Sequence, residues 1–142
     1  MRHARLVIDY RTGFDGIERD QFEGFFDGWP AAPDADALFK ILRGSAFAVL
    51  AGDGDHIVGF VNALSDGLLA VYIPLLEVRA PYRGHGIGRA LVGRVLSEFS
   101  DAYMVDAVCD PEVAPFYERL GMTRLAGMAR RNRQASILRA TR

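Results

Sequence analysis

Val78-Arg79-Ala80-Pro81-Tyr82-Arg83-Gly84-His85-Gly86-Ile87-Gly88-Arg89-Ala90-Leu91 decides the reading of this chain. An apolar run from Leu68 to Val78 ends in a basic turn with three alternating glycines, and a helical pattern starts at once. A strand, a glycine turn and a helix N-terminus in this order form an anion-binding device. N–H groups at a helix start have no intrahelical acceptor, and the helix dipole adds partial positive charge there. Glycine lets a ligand approach the main chain closely. Arg83 and Arg89 add full positive charge at the same place. The stretch therefore predicts a diphosphate cradle.

Three kinds of glycine turn compete for that role. The P-loop pattern G-x-x-x-x-G-K-[ST] has no match, and Lys40 is the only lysine. The dinucleotide fingerprint G-x-G-x-x-G fails from Gly84, which meets Arg89 at the last position, and from Gly86, which meets Leu91. The pattern R-x-x-G-x-G does fit, as Arg83-Gly84-His85-Gly86-Ile87-Gly88. On its own it is also compatible with a plain left-handed turn before a helix. A second segment adds to it: Asp110-Pro111-Glu112-Val113-Ala114-Pro115-Phe116-Tyr117-Glu118-Arg119-Leu120-Gly121-Met122. The two segments together, in this order, resemble the coenzyme A turn and the later Phe-Tyr…Leu-Gly-Phe helix of the GNAT N-acyltransferases, in particular small bacterial members. The resemblance runs from about Ala46 to Met128, and Met122 departs from it by replacing the final aromatic residue.

Composition sets wide bounds. The chain has 142 residues, which suits a single domain spanning 1–142. A chain of this size buries on the order of 70% of its unfolded surface. Half of it is apolar and the net charge is −1, so composition alone points to no nucleic-acid partner. Seven arginines lie between Arg119 and Arg142, a stretch with no Asp or Glu. They leave an RNA-associated protein as a remote alternative, weakened by the lack of interleaved aromatics for base stacking. Cys109 is the single cysteine, so no internal disulfide forms, and its apolar surroundings read as core. The N-terminus does not resemble a signal peptide, and Leu68–Leu76 is too short to span a bilayer. The expected location is the cytoplasm.

The periodicities predict an α/β domain (α+β in some schemes). Strands are expected at Ala4–Tyr10, Ala46–Ala51, Ile57–Ala63, Leu68–Val78 and Tyr103–Cys109, with a closing hairpin at Met122–Leu125 and Met128–Asn132. Helices are expected at Asp15–Asp27, from Asp34 through Leu42, at Gly86–Phe99 and at Pro111–Leu120 with Gly121 as its cap. Pro74 is out of place in a central strand, because proline has no N–H to give to the ladder. A bulge would resolve the conflict. The resemblance implies such a bulge, a mixed sheet that splays between the strand ending near Val78 and the strand at Tyr103–Cys109, and helices on both faces. The pantetheine arm then lies in the gap like an extra strand.

The same resemblance implies the site. Acetyl-CoA would be the co-substrate, with no metal. Backbone groups of Leu76 and Val78 would pair with pantetheine, and the turn residues Arg83, Gly84, His85, Gly86, Ile87, Gly88 and Arg89 would hold the diphosphate. Asp110 stands where many family members have Asn, and with Phe116 it completes the coenzyme contacts. Tyr117 is the candidate acid for the departing thiolate. Glu77 and Asp106 are the candidate bases for the incoming amine, directly or through water, Asp106 because a mid-strand carboxylate is expensive unless paired; either could instead anchor a cationic substrate or satisfy a buried arginine. Phe26, Trp29 and Asp66 would border a cleft for a small primary amine. Attack would be direct, in a ternary complex. The alternative from another class is a regulatory module that binds acyl-CoA without chemistry. A homodimer is left open.

Overall fold

The structure, a computed structural model, describes residues 6–139. Six strands form one mixed sheet: β1 (Asp9–Arg11), β2 (Phe47–Asp53), β3 (His56–Ser65), β4 (Ala70–Ile73), β5 (Leu76–Val78) and β6 (Met104–Ala107). Three α-helices accompany it: α1 (Ala35–Arg43), α2 (Ile87–Glu98) and α3 (Ala114–Glu118). The order is β1-β2-β3-β4-β6, with β5 also paired to β3. Neighbours are antiparallel except β4 and β6, which run parallel and are joined by a crossover through α2.

Each face of the sheet has its own core. Val49, Val58, Val61 and Val71 pack against Leu91, Val92 and Val95 of α2, with Phe116 and Tyr117 of α3 at the margin. Leu50 and Phe60 point the other way, against Phe22 and against Leu38 and Leu42 of α1. The apolar stripe expected on α2 from Leu91, Val92, Val95, Leu96 and Phe99 is thus buried at the first three and half-buried at the last two, and helices cover both faces. Asp34 caps α1 as its sequence predicts: one carboxylate oxygen accepts the Ala37 N–H at 2.8 Å.

The long apolar run does not form one strand. Leu64 pairs with Tyr72 and Val61 with Leu76. Between these pairs, Asn62 and Ala63 on β3 oppose Ile73, Pro74 and Leu75. One extra residue therefore sits on the second strand, a bulge at Pro74–Leu75 opposite Asn62. Proline fits there because no ladder donor is lost. The bulge is also where the sheet divides. β4 pairs with β6 from Ala70/Met104 to Ile73/Ala107, whereas β5 pairs with β3 alone. The expected splay is present.

Other expected elements differ too. The helix expected at Asp15–Asp27 is one 3-10 turn at Arg19–Phe22, because Gly16, Gly24 and even Phe26 adopt positive φ (75°, 83° and 65°). Its phenylalanines reach the core from an irregular segment instead. The helix expected at Pro111–Leu120 begins only at Ala114, with Val113 closing a turn onto the Asp110 carbonyl at 2.9 Å. The closing hairpin is absent: residues 122–132 carry no strand, and Leu125 and Met128 are 83% and 97% exposed. Their alternating apolar pattern finds no neighbouring strand to bury it. The first strand is Asp9–Arg11, and residues 4 and 5 of the expected span lie outside the described residues. Arg142 of the arginine-rich end does so too.

Candidate active site

The free edge of β5 follows from ladder geometry. The Asn62 N–H donates to the Leu75 carbonyl at 3.2 Å, and the Arg79 N–H to the Val58 carbonyl at 2.8 Å. Residues 75, 77 and 79 therefore turn their backbone groups towards β3. Antiparallel pairing alternates, so Leu76 and Val78 direct their N–H and C=O groups away from β3, into the gap beside β6. A ligand strand laid along this edge would meet those groups.

The edge runs into the glycine turn. Arg79 starts a 3-10 turn at Ala80–Tyr82, and the Tyr82 hydroxyl donates to the Asp53 carboxylate on β2 at 2.6 Å, which moors the turn to the sheet. Gly84 and Gly86 both have positive φ (82° and 80°), a region that side-chain-bearing residues enter only with strain. Gly86 caps α2, and Ala90 N–H is the first to bond within the helix, to the Gly86 carbonyl at 3.0 Å. The N–H groups of Ile87, Gly88 and Arg89 have no intrahelical acceptor. A groove of about 310 Å³ opens here, lined by Val78, Tyr82, Arg83, Gly84, Gly86, Ile87, Gly88, Arg89 and Phe116. A Cβ at Gly88 would lie 3.6 Å from the Phe116 ring and 4.0 Å from Val78. Glycine here keeps the groove open between helix and strand.

Most of the coenzyme residues named from the sequence meet in this groove. His85 is exposed at the tip of the turn and does not line it. Asp110 is likewise exposed and outside the groove lining. Leu76 lies further along the edge, past Val78.

Glu77 sits between Leu76 and Val78 with its side chain 13% exposed. Burial pushes its pKa up. The Arg83 guanidinium and the Phe26 N–H oppose that rise, and Asp27 adds to it. Arg83 lies across the strand edge: Nε donates to the Val78 carbonyl at 2.9 Å, and an Nη approaches Glu77 Oε1 at 3.4 Å. Phe26 is buried against Phe60, and Trp29 packs on it at a tilt with ring centroids 4.6 Å apart and 48% of its surface exposed. The structure thus brings Phe26 and Trp29 to the Glu77 side of the site. Asp27, not singled out in the sequence, joins them.

Tyr117 stands apart from Phe116. The two rings meet edge to face at 4.9 Å, but Tyr117 lines a second cavity of about 330 Å³. Cys109, Ala107 and residues 122–125 line it too. Burial, with Cys109 and Tyr72 as neighbours, raises the Tyr117 pKa to about 12. Cys109 is exposed, contrary to its reading as core, because β6 ends at Ala107 and leaves it on the loop beyond.

Two carboxylates are not where the sequence suggested. Asp106 is exposed on the open face of β6, paired across the ladder with Tyr72, so its mid-strand position carries no burial cost. Asp66 sits at the tip of the β3–β4 hairpin. One of its oxygens accepts the N–H groups of Leu68 (2.9 Å), Leu69 (2.8 Å) and Ala70 (3.2 Å), which holds its pKa down. It serves the turn, at the far end of β4 from the gap.

Sequence reasoning missed Asn62 and Arg79. Asn62 gave a signal, since a lone amide inside Val58–Leu64 is costly unless bonded. Arg79 gave none. It fastens the irregular N-terminal segment by donating to the carbonyls of Ile57 (2.7 Å) and Gln21 (3.1 Å) while stacking on Phe25 at 4.0 Å. Among the described residues no group of His, Cys, Asp and Glu is arranged to hold a metal. No helix there is long and apolar enough to cross a membrane.

A split mixed sheet with a glycine turn at the mouth of the split defines an acyltransferase architecture. Residues 14–122 match the acetyltransferase (GNAT) family, and the chain belongs to that family. It is an acyltransferase. It is similar to a protein of Deinococcus radiodurans R1 assigned as an acetyltransferase, at 47% identity, 94% of this chain and 95% of that one, with a TM-score of 0.89. A GNAT-family acetyltransferase from Streptococcus pneumoniae TIGR4 matches at 26% identity over 89% and 98%, TM-score 0.70. An aminoglycoside N-acetyltransferase solved in complex with CoA shares the fold at 14% identity over 93% and 98%, TM-score 0.69. Among curated proteins nothing matches.

Proposed function

We propose that the protein moves an acetyl group from acetyl-CoA to the primary amine of a small molecule by direct attack in a ternary complex. The observation that carries this reading is the continuity of groove and gap. The groove at residues 83–89 begins at Val78, the end of the outward edge that runs back to Leu76 beside the Arg83 side chain, and that edge borders the place where β5, paired with β3 alone, parts from the β4–β6 pair. Arg83, Arg89 and the free N–H groups of α2 suit a diphosphate. The extended edge suits the amide-bearing arm, paired as an added strand.

In this reading the Leu76 N–H meets the thioester oxygen and stabilises the oxyanion as the amine adds. Glu77 takes the amine's proton, directly or through one water. Its burial-raised pKa brings it nearer to a working base at neutral pH. The negative charges of Asp27 and Glu77, beside the rings of Phe26 and Trp29, suit a cationic amine. Holding both reactants in the gap removes much of the entropic barrier.

Tyr117 takes a narrower part than that of an acid. At a pKa of about 12 it is a weaker acid than a thiol at about 8.5, so full proton transfer to sulfur runs uphill. It stays protonated and donates a hydrogen bond to the sulfur as the C–S bond breaks. Asp66 and Asp106 have no part in this proposal.

Two measurements test it together. Acetyl-CoA should raise the melting temperature of the protein, since a ligand that binds only the folded state stabilises it. Thiol release from acetyl-CoA should appear with some members of a panel of small amines. A coenzyme-induced shift with no turnover on any amine would favour a binding module. The absence of any shift at saturating coenzyme would remove the cradle.

A further inference from the structure

Asn62 is 1% exposed, the only buried polar side chain in the cores of the described residues. All its bonds point to one purpose. Its Oδ1 accepts the Leu75 N–H at 3.0 Å, and its main-chain N–H donates to the Leu75 carbonyl at 3.2 Å. In a regular ladder the Leu75 N–H would go to the Asn62 main-chain carbonyl instead. The side chain has therefore replaced the backbone as acceptor at the one position where the second strand carries an extra residue. On its other side, Asn62 Nδ2 donates to Ser45 Oγ at 3.0 Å, and Ser45 Oγ donates to the Ile41 carbonyl in the last turn of α1 at 2.8 Å. Both ends of the amide are engaged, so its rotation is fixed.

The consequence falls on Leu76. Side-chain period and hydrogen-bond direction alternate along a strand, so moving the bulge by one residue would exchange which N–H faces β3 and which faces the gap. We propose that Asn62 is the positioning residue of the site: its amide locks the bulge at Pro74–Leu75 and so aims the Leu76 N–H at the thioester carbonyl. The inference rests on the acetyl-CoA reading above. It gives Asn62 a role in the chemistry through Leu76, with no contact to substrate.

A purely structural role would change stability but not the electronic state of the bound carbonyl, so that state is the readout. Acetyl-CoA labelled with ¹³C at the acetyl carbonyl is bound to the wild type, and its carbonyl resonance moves downfield from the free position. Asn62→Ala still binds acetyl-CoA, as a melting-temperature rise reports, but its carbonyl resonance returns towards the free value. Its kcat with an amine from the panel falls about a hundredfold while KM for acetyl-CoA changes little. Asn62→Asp restores the resonance, because a carboxyl buried there is protonated and both accepts from Leu75 and donates to Ser45. If Asn62→Ala does not fold, Ser45→Ala keeps the amide but releases its anchor, and gives a partial return of the resonance. Bound carbonyl signals and kcat values in these variants equal to those of the wild type would overturn the role of Asn62. A wild type that shows no binding of acetyl-CoA overturns the coenzyme reading itself, and the inference falls with it.

Discussion

Arg83 donates its Nε–H to the main-chain carbonyl of Val78 at 2.9 Å, covering one of the outward backbone groups of β5. The same side chain reaches Glu77. A ligand strand on that edge has to displace it, whereas Arg89, on the first turn of α2, has no such bond to break. We predict that Arg83→Met weakens acetyl-CoA binding less than Arg89→Met does. The lost attraction to phosphate is offset by the hydrogen bond, about 1 kcal/mol, that no longer has to be broken. Isothermal titration calorimetry decides the order, and a larger loss for Arg83→Met would mean that its clamp is no obstacle.

The glycine turn gives a separate prediction. Gly86 combines a φ of 80° with a position at the groove, so Gly86→Glu places bulk, strain and negative charge where the diphosphate is to lie. The thermal shift given by acetyl-CoA should vanish. Gly93→Glu, on the same helix but away from the groove lining, should keep it.

Glu77 links chemistry to stability through pH. Its folded pKa is raised by burial, so the folded state holds a proton more tightly than the unfolded chain does. Stability is therefore lost as pH rises from the unfolded carboxylate value, about 4.3, through the higher folded value. Glu77→Gln should raise the melting temperature at pH 7, and the gain should shrink to nothing below about pH 4. The same variant should lower kcat and remove the acidic limb of its pH profile. A gain in stability that persists unchanged at pH 3 would contradict the burial argument.

Tyr117→Phe removes only the hydroxyl from a ring packed at the edge of the core. Acetyl-CoA should bind as before, with kcat down by about a hundredfold through loss of the donor to the departing sulfur. Because a raised phenol pKa costs stability only where it titrates, the wild type should lose stability relative to Tyr117→Phe between about pH 10 and 12. Equal kcat values for the two proteins would remove Tyr117 from the reaction.

The legible parts of this chain were those with a local cause. The glycine turn and the α2 stripe are read from neighbours in sequence, and Pro74 announces its bulge because a missing N–H is a property of the residue itself. The illegible parts depend on partners far along the chain. Phe22 and Phe26 have helical spacing, yet glycines at positive φ and the remote grip of Arg79 keep their segment irregular. Residues 122–132 have the alternation of strands but no neighbour to pair with. Asp66 looks like a free carboxylate until its turn is built, and Asp106 looks buried until the open face of β6 is seen. Asn62 was visible as an anomaly, but its purpose needed the register of the strand opposite.

The central claim is that the outward edge of β5 is the ligand edge, and amide hydrogen exchange at single residues tests it most directly. Saturating acetyl-CoA should slow exchange at Leu76 and Val78 and at the turn amides of residues 84–89, while the amides of β1 and the β2–β3 hairpin stay as they were. Protection confined to the turn, with Leu76 and Val78 exchanging at the rate of the free protein, would contradict it.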